Sequence, residues 1–173
     1  MGKGLPRSMS RGEALRQEVI RQSFRASDLA ITVDGALGVG FGTAVLGDLP
    51  AGNILLLGAV SYLQFTTASA SVQDAFDGDF SIGTVATVDL DLADAGEADI
   101  IPSTALGAAT AKVSPLVRGV STTSLNGVIL DNTDGSLELN LNLLIDDANI
   151  AADDVDFTVD GELILLYSVL GDD

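Results

Sequence analysis

Residues 136–145 read Ser-Leu-Glu-Leu-Asn-Leu-Asn-Leu-Leu-Ile, and this stretch decides the fold class. Leucine occupies every second position from 137 to 143, and Glu138, Asn140 and Asn142 lie between the leucines. This alternation has the two-residue period of a strand with one buried face, and it does not fit the 3.6-residue period of a helix. We therefore predict a β-strand here, which follows a turn at Asp131–Gly135.

The rest of the chain after Ser27 has the same character, because β-branched residues and glycine dominate and turn residues recur at short intervals. The predicted strands are Leu29–Val33, Leu37–Leu46, Asn53–Phe65, Phe80–Leu92, Gly127–Leu130, Ser136–Ile145 and Phe157–Leu170, with an irregular section beginning at Ile101. Since no helical pattern separates them, parallel βαβ folds are excluded. We predict an all-β protein, an antiparallel β-sandwich, with a jelly roll as the expected topology.

The charge of the chain is divided between a basic start and an acidic remainder. The formal net charge is −17 over 173 residues, yet the first 25 residues sum to +4 and the rest to −21. The basic residues of the first segment are Lys3, Arg7, Arg11, Arg16, Arg21 and Arg25. We predict a basic N-terminal arm over residues 1–26 and a β-sandwich domain over residues 27–173. The arm either docks onto an acidic partner or is a disordered start that happens to be basic.

Part of the arm has a weak helical signal. Leu15 and Val19 are four residues apart, and Ser10 with Glu13 fits a capping box, so a short helix over Ser10–Ser23 is predicted. The segment has no apolar core of a secretory signal, and the apolar run at Asn53–Phe65 is too short for a membrane helix. We therefore expect synthesis in a cytoplasm, with no membrane partner.

The composition excludes most catalytic chemistry. The chain has no cysteine, no histidine and no tryptophan, so thiol nucleophiles, the commonest general base and the commonest zinc ligands are all missing. Serine and threonine have no histidine partner to activate them. The strong negative charge disfavours nucleic acid as a partner. We expect no enzymatic activity and no cofactor.

Two further motifs have alternative interpretations. Gly38, Gly40 and Gly42 alternate within a predicted strand, which indicates close approach to a neighbouring sheet or subunit, since no helix follows to complete a nucleotide site. Acidic loops are typical of solvated turns but can also supply calcium ligands. The best calcium candidates are Asp146, Asp147, Asp153, Asp154 and Asp156, and no EF-hand spacing occurs.

Three stretches resemble a known class of proteins: Asp99–Gly107, Asp134–Asp147 and Tyr167–Asp173. They are similar to stretches of small structural proteins encoded near the capsid genes of tailed phages of marine bacteria. The resemblance covers residues 80–173 well and the N-terminal half loosely. It implies a β-rich head decoration (cement) protein on the outside of an icosahedral capsid, bound to the major capsid protein and often trimeric.

Two alternatives stay open beside this resemblance. One is a tail or head-fibre component of the same particle, and the other is a calcium-dependent carbohydrate-binding or adhesion module. A separate expectation comes from the strands themselves. Asn53–Phe65 and Leu163–Leu170 are apolar on both faces, whereas a two-layer sandwich buries only one face of each sheet. We therefore predict a homo-oligomer, whose number three rests on the resemblance and on the symmetry of a capsid lattice.

Overall fold

A computed structural model describes residues 18–35, 40–146, 149–151 and 154–171 of the chain. Within these ranges the secondary structure consists of nine β-strands and contains no helix. The strands are β1 (Ile20–Val33), β2 (Gly40–Asp48), β3 (Gly52–Thr66), β4 (Gly78–Gly83), β5 (Ile101–Ala105), β6 (Val117–Val120), β7 (Ile129–Asn132), β8 (Glu138–Ile145) and β9 (Val155–Gly171). The all-β prediction is confirmed, and β5 and β6 lie in the section that the sequence marked as irregular.

The strands form two antiparallel sheets that pack against each other. The five-stranded sheet has the order β1-β9-β3-β6, and β7 also pairs with β3, beside β6. The four-stranded sheet has the order β2-β8-β4-β5. This arrangement confirms the predicted β-sandwich, and β3 is the predicted central strand, with neighbours on both of its edges. The jelly-roll topology stays a prediction.

The core lies between the two sheets and is formed by their inward-facing side chains. Leu139, Leu141 and Leu143 of β8 are fully buried, as their alternation predicted. The rings of Phe65 in β3 and Phe80 in β4 lie 5.6 Å apart and join the two sheets. Burying each such side chain stabilises the fold by about 1.5–3 kcal/mol.

The sandwich begins earlier in the chain than predicted. Residues 20–26, which the sequence assigned to the arm, form the first half of β1 and pair with β9. Phe24 and Ala26 point inward and are buried in the core. The predicted helix over Ser10–Ser23 is therefore wrong for residues 20–23, because long-range pairing with β9 outweighs a weak local helical preference. The remainder of that helix lies outside the described residues.

The close approach predicted for the alternating glycines occurs where β2 crosses β1. A Cβ atom on Gly42 would lie 2.3 Å from the carbonyl oxygen of Thr32, and one on Gly40 would lie 2.3 Å from that of Asp34. Only glycine fits at such distances. Gly40 and Gly42 therefore let the chain pass from one sheet to the other, and Gly38 lies outside the described residues.

The strand predicted over Phe80–Leu92 ends at Gly83, and the chain continues as a loop. Residues 84–99 fold across the outer face of the four-stranded sheet, and we call this segment the covering loop. A Cβ atom on Gly83 would lie 2.0 Å from the carbonyl oxygen of Gly96, which shows how closely the loop packs. The covering loop gives the four-stranded sheet a second cover, and no described segment of similar length lies across the outer face of the five-stranded sheet.

Candidate docking surface

Several exposed apolar side chains lie together on the outer face of the five-stranded sheet. Val60 of β3 pairs with Val120 of β6 on one side and with Ile164 of β9 on the other. Side chains directly opposite each other in antiparallel strands point to the same face, so these three form a continuous apolar row. Val120 is 40% exposed and Leu166, at the next outward position of β9, is 39% exposed. These side chains are the centre of the candidate surface, which we call the sheet face.

A shallow depression lies within the sheet face. Gly58, Val60, Asn126 and Leu166 are among the residues that line it, together with Val120 and Ile164. The Ser121 hydroxyl accepts a hydrogen bond from the amide of Ala59 at 2.8 Å and donates one to Oδ1 of Asn126 at 2.8 Å. These bonds fix the wall of the depression against β3. Gly58 leaves its floor open, because a Cβ atom there would have no neighbour closer than 3.9 Å.

Arginine side chains border the apolar row. In the register of the sheet, Arg25 of β1 lies opposite Glu162 of β9, and Tyr62 of β3 lies between Glu162 and Arg118 of β6. The Ser23 hydroxyl donates a hydrogen bond of 2.8 Å to Oε2 of Glu162. Four strands therefore contribute to one row of charged and aromatic groups beside the apolar row.

The basic residues of the described part of the chain are concentrated on the sheet face. Four such residues are described, and Arg21, Arg25 and Arg118 all lie on this face, with Arg21 opposite Leu166. The fourth, Lys112, donates a hydrogen bond from Nζ to the carbonyl oxygen of Ser69. On a chain of net charge −17, this face has a composition unlike the rest. Exposed apolar area with arginine and tyrosine is typical of protein interfaces.

The residues predicted to form a basic arm are only partly placed. Lys3, Arg7, Arg11 and Arg16 lie outside the described residues. Arg21 and Arg25 are exposed side chains of β1, an edge strand of the five-stranded sheet. They therefore belong to the sheet face and not to an arm that precedes the domain. Sequence reasoning missed Arg118, because only the pairing of β6 with β3 brings it near Arg25.

The calcium candidates are not brought together as a metal site in the described ranges. Asp147 and Asp153 lie outside them. Oδ1 of Asp156 accepts a hydrogen bond of 2.7 Å from the Thr32 hydroxyl, which ties β9 to β1. Across the described residues, including Asp146 and Asp154, no group of three or more acidic, histidine or cysteine side chains has an arrangement that could hold a metal ion.

The covering loop is held on the four-stranded sheet by buried polar groups. Oδ1 of Asn142 accepts a hydrogen bond of 2.9 Å from the amide of Thr87, and its Nδ2 donates bonds of 3.0 Å to the carbonyl oxygens of Val85 and Glu97. The Ser81 hydroxyl donates a bond of 2.7 Å to the same carbonyl of Glu97. The alternation in β8 therefore places the leucines toward the core and Asn142 toward the covering loop.

Two carboxyl groups of the covering loop, those of Glu97 and Asp99, have raised pKa values. Burial raises the pKa of Glu97 above its usual value, and hydrogen bonds from Thr87 and from the Val88 amide offset part of that rise. Oε2 of Glu97 has no hydrogen-bond partner within the described part of the chain. Burial also raises the pKa of Asp99, although Thr84 donates bonds to both of its oxygens, at 2.9 and 2.7 Å.

The comparisons with known proteins give no relative for this chain. Neither a scan against models of protein families nor a search of curated proteins found a match. Within the described ranges, no helix is long and apolar enough to cross a membrane.

Proposed function

We propose that the chain is a structural protein of a virus particle, a decoration or cement protein that binds the outside of an icosahedral phage head and stabilises it. In this proposal the chain associates with itself, as a trimer, and binds the major capsid protein through the basic residues that precede β1. The observation that supports self-association is the sheet face, where apolar side chains and three arginines are exposed together. The phage head as the binding partner is inferred from the resemblance of the sequence to structural proteins of tailed phages.

The position of β1 supports different roles for the basic residues before Ile20 and for Arg21 and Arg25 within β1. β1 is an edge strand, and it is anchored by buried Phe24 and Ala26. The basic residues before Ile20 are therefore attached directly to a well-packed edge of the sandwich. Arg21 and Arg25 are held on the sheet face by pairing with β9. We accordingly assign the anchoring role to Lys3, Arg7, Arg11 and Arg16.

The acidic remainder of the chain suits an exposed position on a particle in a salty medium. Self-repulsion between carboxylates weakens as the screening length falls from about 10 Å at 0.1 M salt to about 3 Å at 1 M. The same screening weakens the attraction of the basic residues for an acidic lattice. The proposal therefore expects head binding to be tightest at low ionic strength and fold stability to be highest at high ionic strength.

Co-sedimentation with purified heads that lack the protein tests this function. The full chain should sediment with the heads at saturable occupancy. A variant in which Lys3, Arg7, Arg11 and Arg16 are all replaced by glutamine should lose most of this binding, because the attraction is electrostatic. Its matched control replaces Glu13 and Glu18 with glutamine, in the same region and with the opposite change in charge, and should bind at least as well as the wild type.

Two results would count against the proposal. If the glutamine variant decorates heads at full occupancy in moderate salt, the anchoring role of the basic residues is wrong. If the wild-type chain sediments with isolated tails and not with heads, the tail or fibre alternative is correct.

A further inference from the structure

We propose that the sheet face of one copy binds the covering loop of a second copy, so that copies of the chain associate face to back. This inference rests only on the self-association part of the proposed function and needs no particle. It identifies both surfaces of the contact, whereas the apolar strands by themselves indicate only that something covers them.

The covering loop lies on the opposite side of the molecule from the sheet face. Ser81 and Asn142, which bond to the loop, alternate with Phe80, Ile82, Leu141 and Leu143, all of which are buried in the core. Ser81 and Asn142 therefore point away from the core, and the loop they hold covers the outer face of the four-stranded sheet. One surface of the proposed contact is thus on each outer side of the sandwich.

The covering loop exposes apolar side chains among carboxylates. Val88 is 74% exposed and Leu90 is 53% exposed, and both are surrounded in sequence by the exposed Asp89, Asp91 and Asp94. Oδ1 of Asp89 accepts the amide of Asp91, and Oδ1 of Asp91 accepts the amide of Ala93, each at 2.8 Å. These bonds fix the shape of the loop, so Val88 and Leu90 are presented outward by a built turn.

The two surfaces are complementary in both polarity and charge. The sheet face offers an apolar row with a depression at Gly58, bordered by arginines. The covering loop offers two protruding apolar side chains bordered by aspartates. A contact between two sheet faces would bring together two borders in which Arg21, Arg25 and Arg118 outnumber Glu162, and a contact between two loops would set aspartates against aspartates. Like charges brought together at an interface oppose binding, so the face-to-back contact is favoured.

A face-to-back contact is heterologous, which has a consequence for assembly. Each copy keeps one unused surface after the first contact, so copies continue to add unless a rotation between neighbours closes a ring. Because the two surfaces lie on opposite sides of the sandwich, repeated contacts of this kind stack copies in an open row, and the trimer of the proposed function needs a different contact. The mode of contact and the number of copies are therefore separate questions, and charge reversal addresses the first.

The test uses light scattering on the purified full chain and on charge-reversed variants. The wild type should have a mass above 17.7 kDa at micromolar concentration. The face variant R25E/R118E and the loop variant V88K/D94K should each fall to the monomer mass. The first sets acidic side chains against the acidic loop, and the second removes an apolar contact and the negative charge of the loop. An equimolar mixture of the two variants should form a mixed dimer, since the unchanged sheet face of the loop variant can bind the unchanged covering loop of the face variant.

Controls and opposing outcomes separate this contact from its alternatives. The variant D48K/E138K changes exposed acidic residues outside both surfaces and should keep the wild-type mass. All variants should keep the wild-type circular dichroism spectrum and melting temperature. A wild-type mass of 17.7 kDa would overturn the proposal. So would a loop variant that stays assembled while the face variant dissociates, because that result means that sheet faces bind each other.

The proposed function and this inference fail independently. The light-scattering experiment contains no particle, so assembly without head binding would refute only the function. Head binding by a chain that remains monomeric in all variants would refute only the contact.

Discussion

Replacing Asn142 with alanine should lower the free energy of unfolding by about 3 kcal/mol, because one side chain holds the covering loop at three points. The alanine variant leaves the buried amide of Thr87 without its acceptor and removes a donor from the carbonyl oxygens of Val85 and Glu97. A buried polar group left without a partner costs about 1–3 kcal/mol, and an ordinary hydrogen bond contributes about 0.5–1.5 kcal/mol net. The carbonyl of Glu97 keeps its bond from Ser81, which limits the loss there.

Asn140 supplies a matched control two residues earlier on the same strand. It has the same chemistry, points to the same outer face and is also buried, but its one described bond is a 3.4 Å contact from Nδ2 to the carbonyl of Glu138. Alanine at position 140 should therefore cost less than about 1 kcal/mol. Both variants delete the same amide group, but only the amide of Asn142 is bonded to the covering loop.

Equilibrium urea unfolding, followed by circular dichroism at one low protein concentration, measures both variants. A fixed concentration is needed because self-association stabilises the folded state. Hydrogen exchange should show faster exchange over residues 84–99 in the Asn142 variant only. Equal losses of stability in the two variants, or unchanged exchange in the loop, would refute the assignment of Asn142 as the residue that holds the loop.

Three further predictions concern the strand crossing, protonation and salt. Alanine at Gly42 should destabilise the fold by about 1–3 kcal/mol, because its Cβ atom would lie 2.3 Å from the carbonyl oxygen of Thr32. Alanine at Gly58, where a Cβ atom has no neighbour nearer than 3.9 Å, should cost much less. Equal melting temperatures of the two variants would contradict this prediction. Since burial raises the pKa of Glu97 and Asp99, these two groups bind protons more tightly in the folded state than in the unfolded state, so their contribution to stability should rise as pH falls from 7 toward their raised pKa values. Glutamine at position 97 should raise the melting temperature at pH 7 and flatten that profile, and a wild-type profile that falls steadily toward pH 5 would show the sign to be wrong. Added sodium chloride should raise the melting temperature of a chain with net charge −17, and a decrease would argue against carboxylate repulsion as the limiting factor.

The parts of the fold that were predictable are those with a local, periodic signal. β8 was predicted because its leucines alternate strictly, and β3 because a long run apolar on both faces is typical of a central strand. β6 is only four residues long and β5 contains Pro102, so neither has a period of its own. Both are strands because of the partners they meet, which the sequence does not display.

The first half of β1 was misassigned for a related reason. The spacing of Leu15 and Val19 suggested a helix, and the basic residues suggested that the segment stood apart from the domain. The structure instead places Phe24 in the core, through pairing with residues of β9 more than 130 positions away. A truncation after Arg25 would therefore remove a structural strand, whereas the anchoring role can be tested without loss of β1.

Only part of the candidate site could be predicted from the sequence. The apolar character of both faces of β3 and β9 predicted a surface in need of a cover. The gathering of Arg25 and Arg118 around it follows from strand register, which joins residues 93 positions apart in the chain. The covering loop was interpreted as part of a strand because the sequence alternates over Phe80–Leu92, and nothing in that pattern reveals the hydrogen bonds from Asn142 that hold the segment as a loop.

A reconstruction by electron cryomicroscopy of virions whose genome encodes the chain tests the proposed function most directly. The account predicts density for a β-sandwich on the outside of the icosahedral head, at local three-fold positions, with the start of β1 directed toward the capsid lattice. Where copies touch outside the three-fold contact, the sheet face of one should lie against the covering loop of the other. Sandwich density confined to the tail or its fibres, or virions that contain no copy of the chain, would contradict the account.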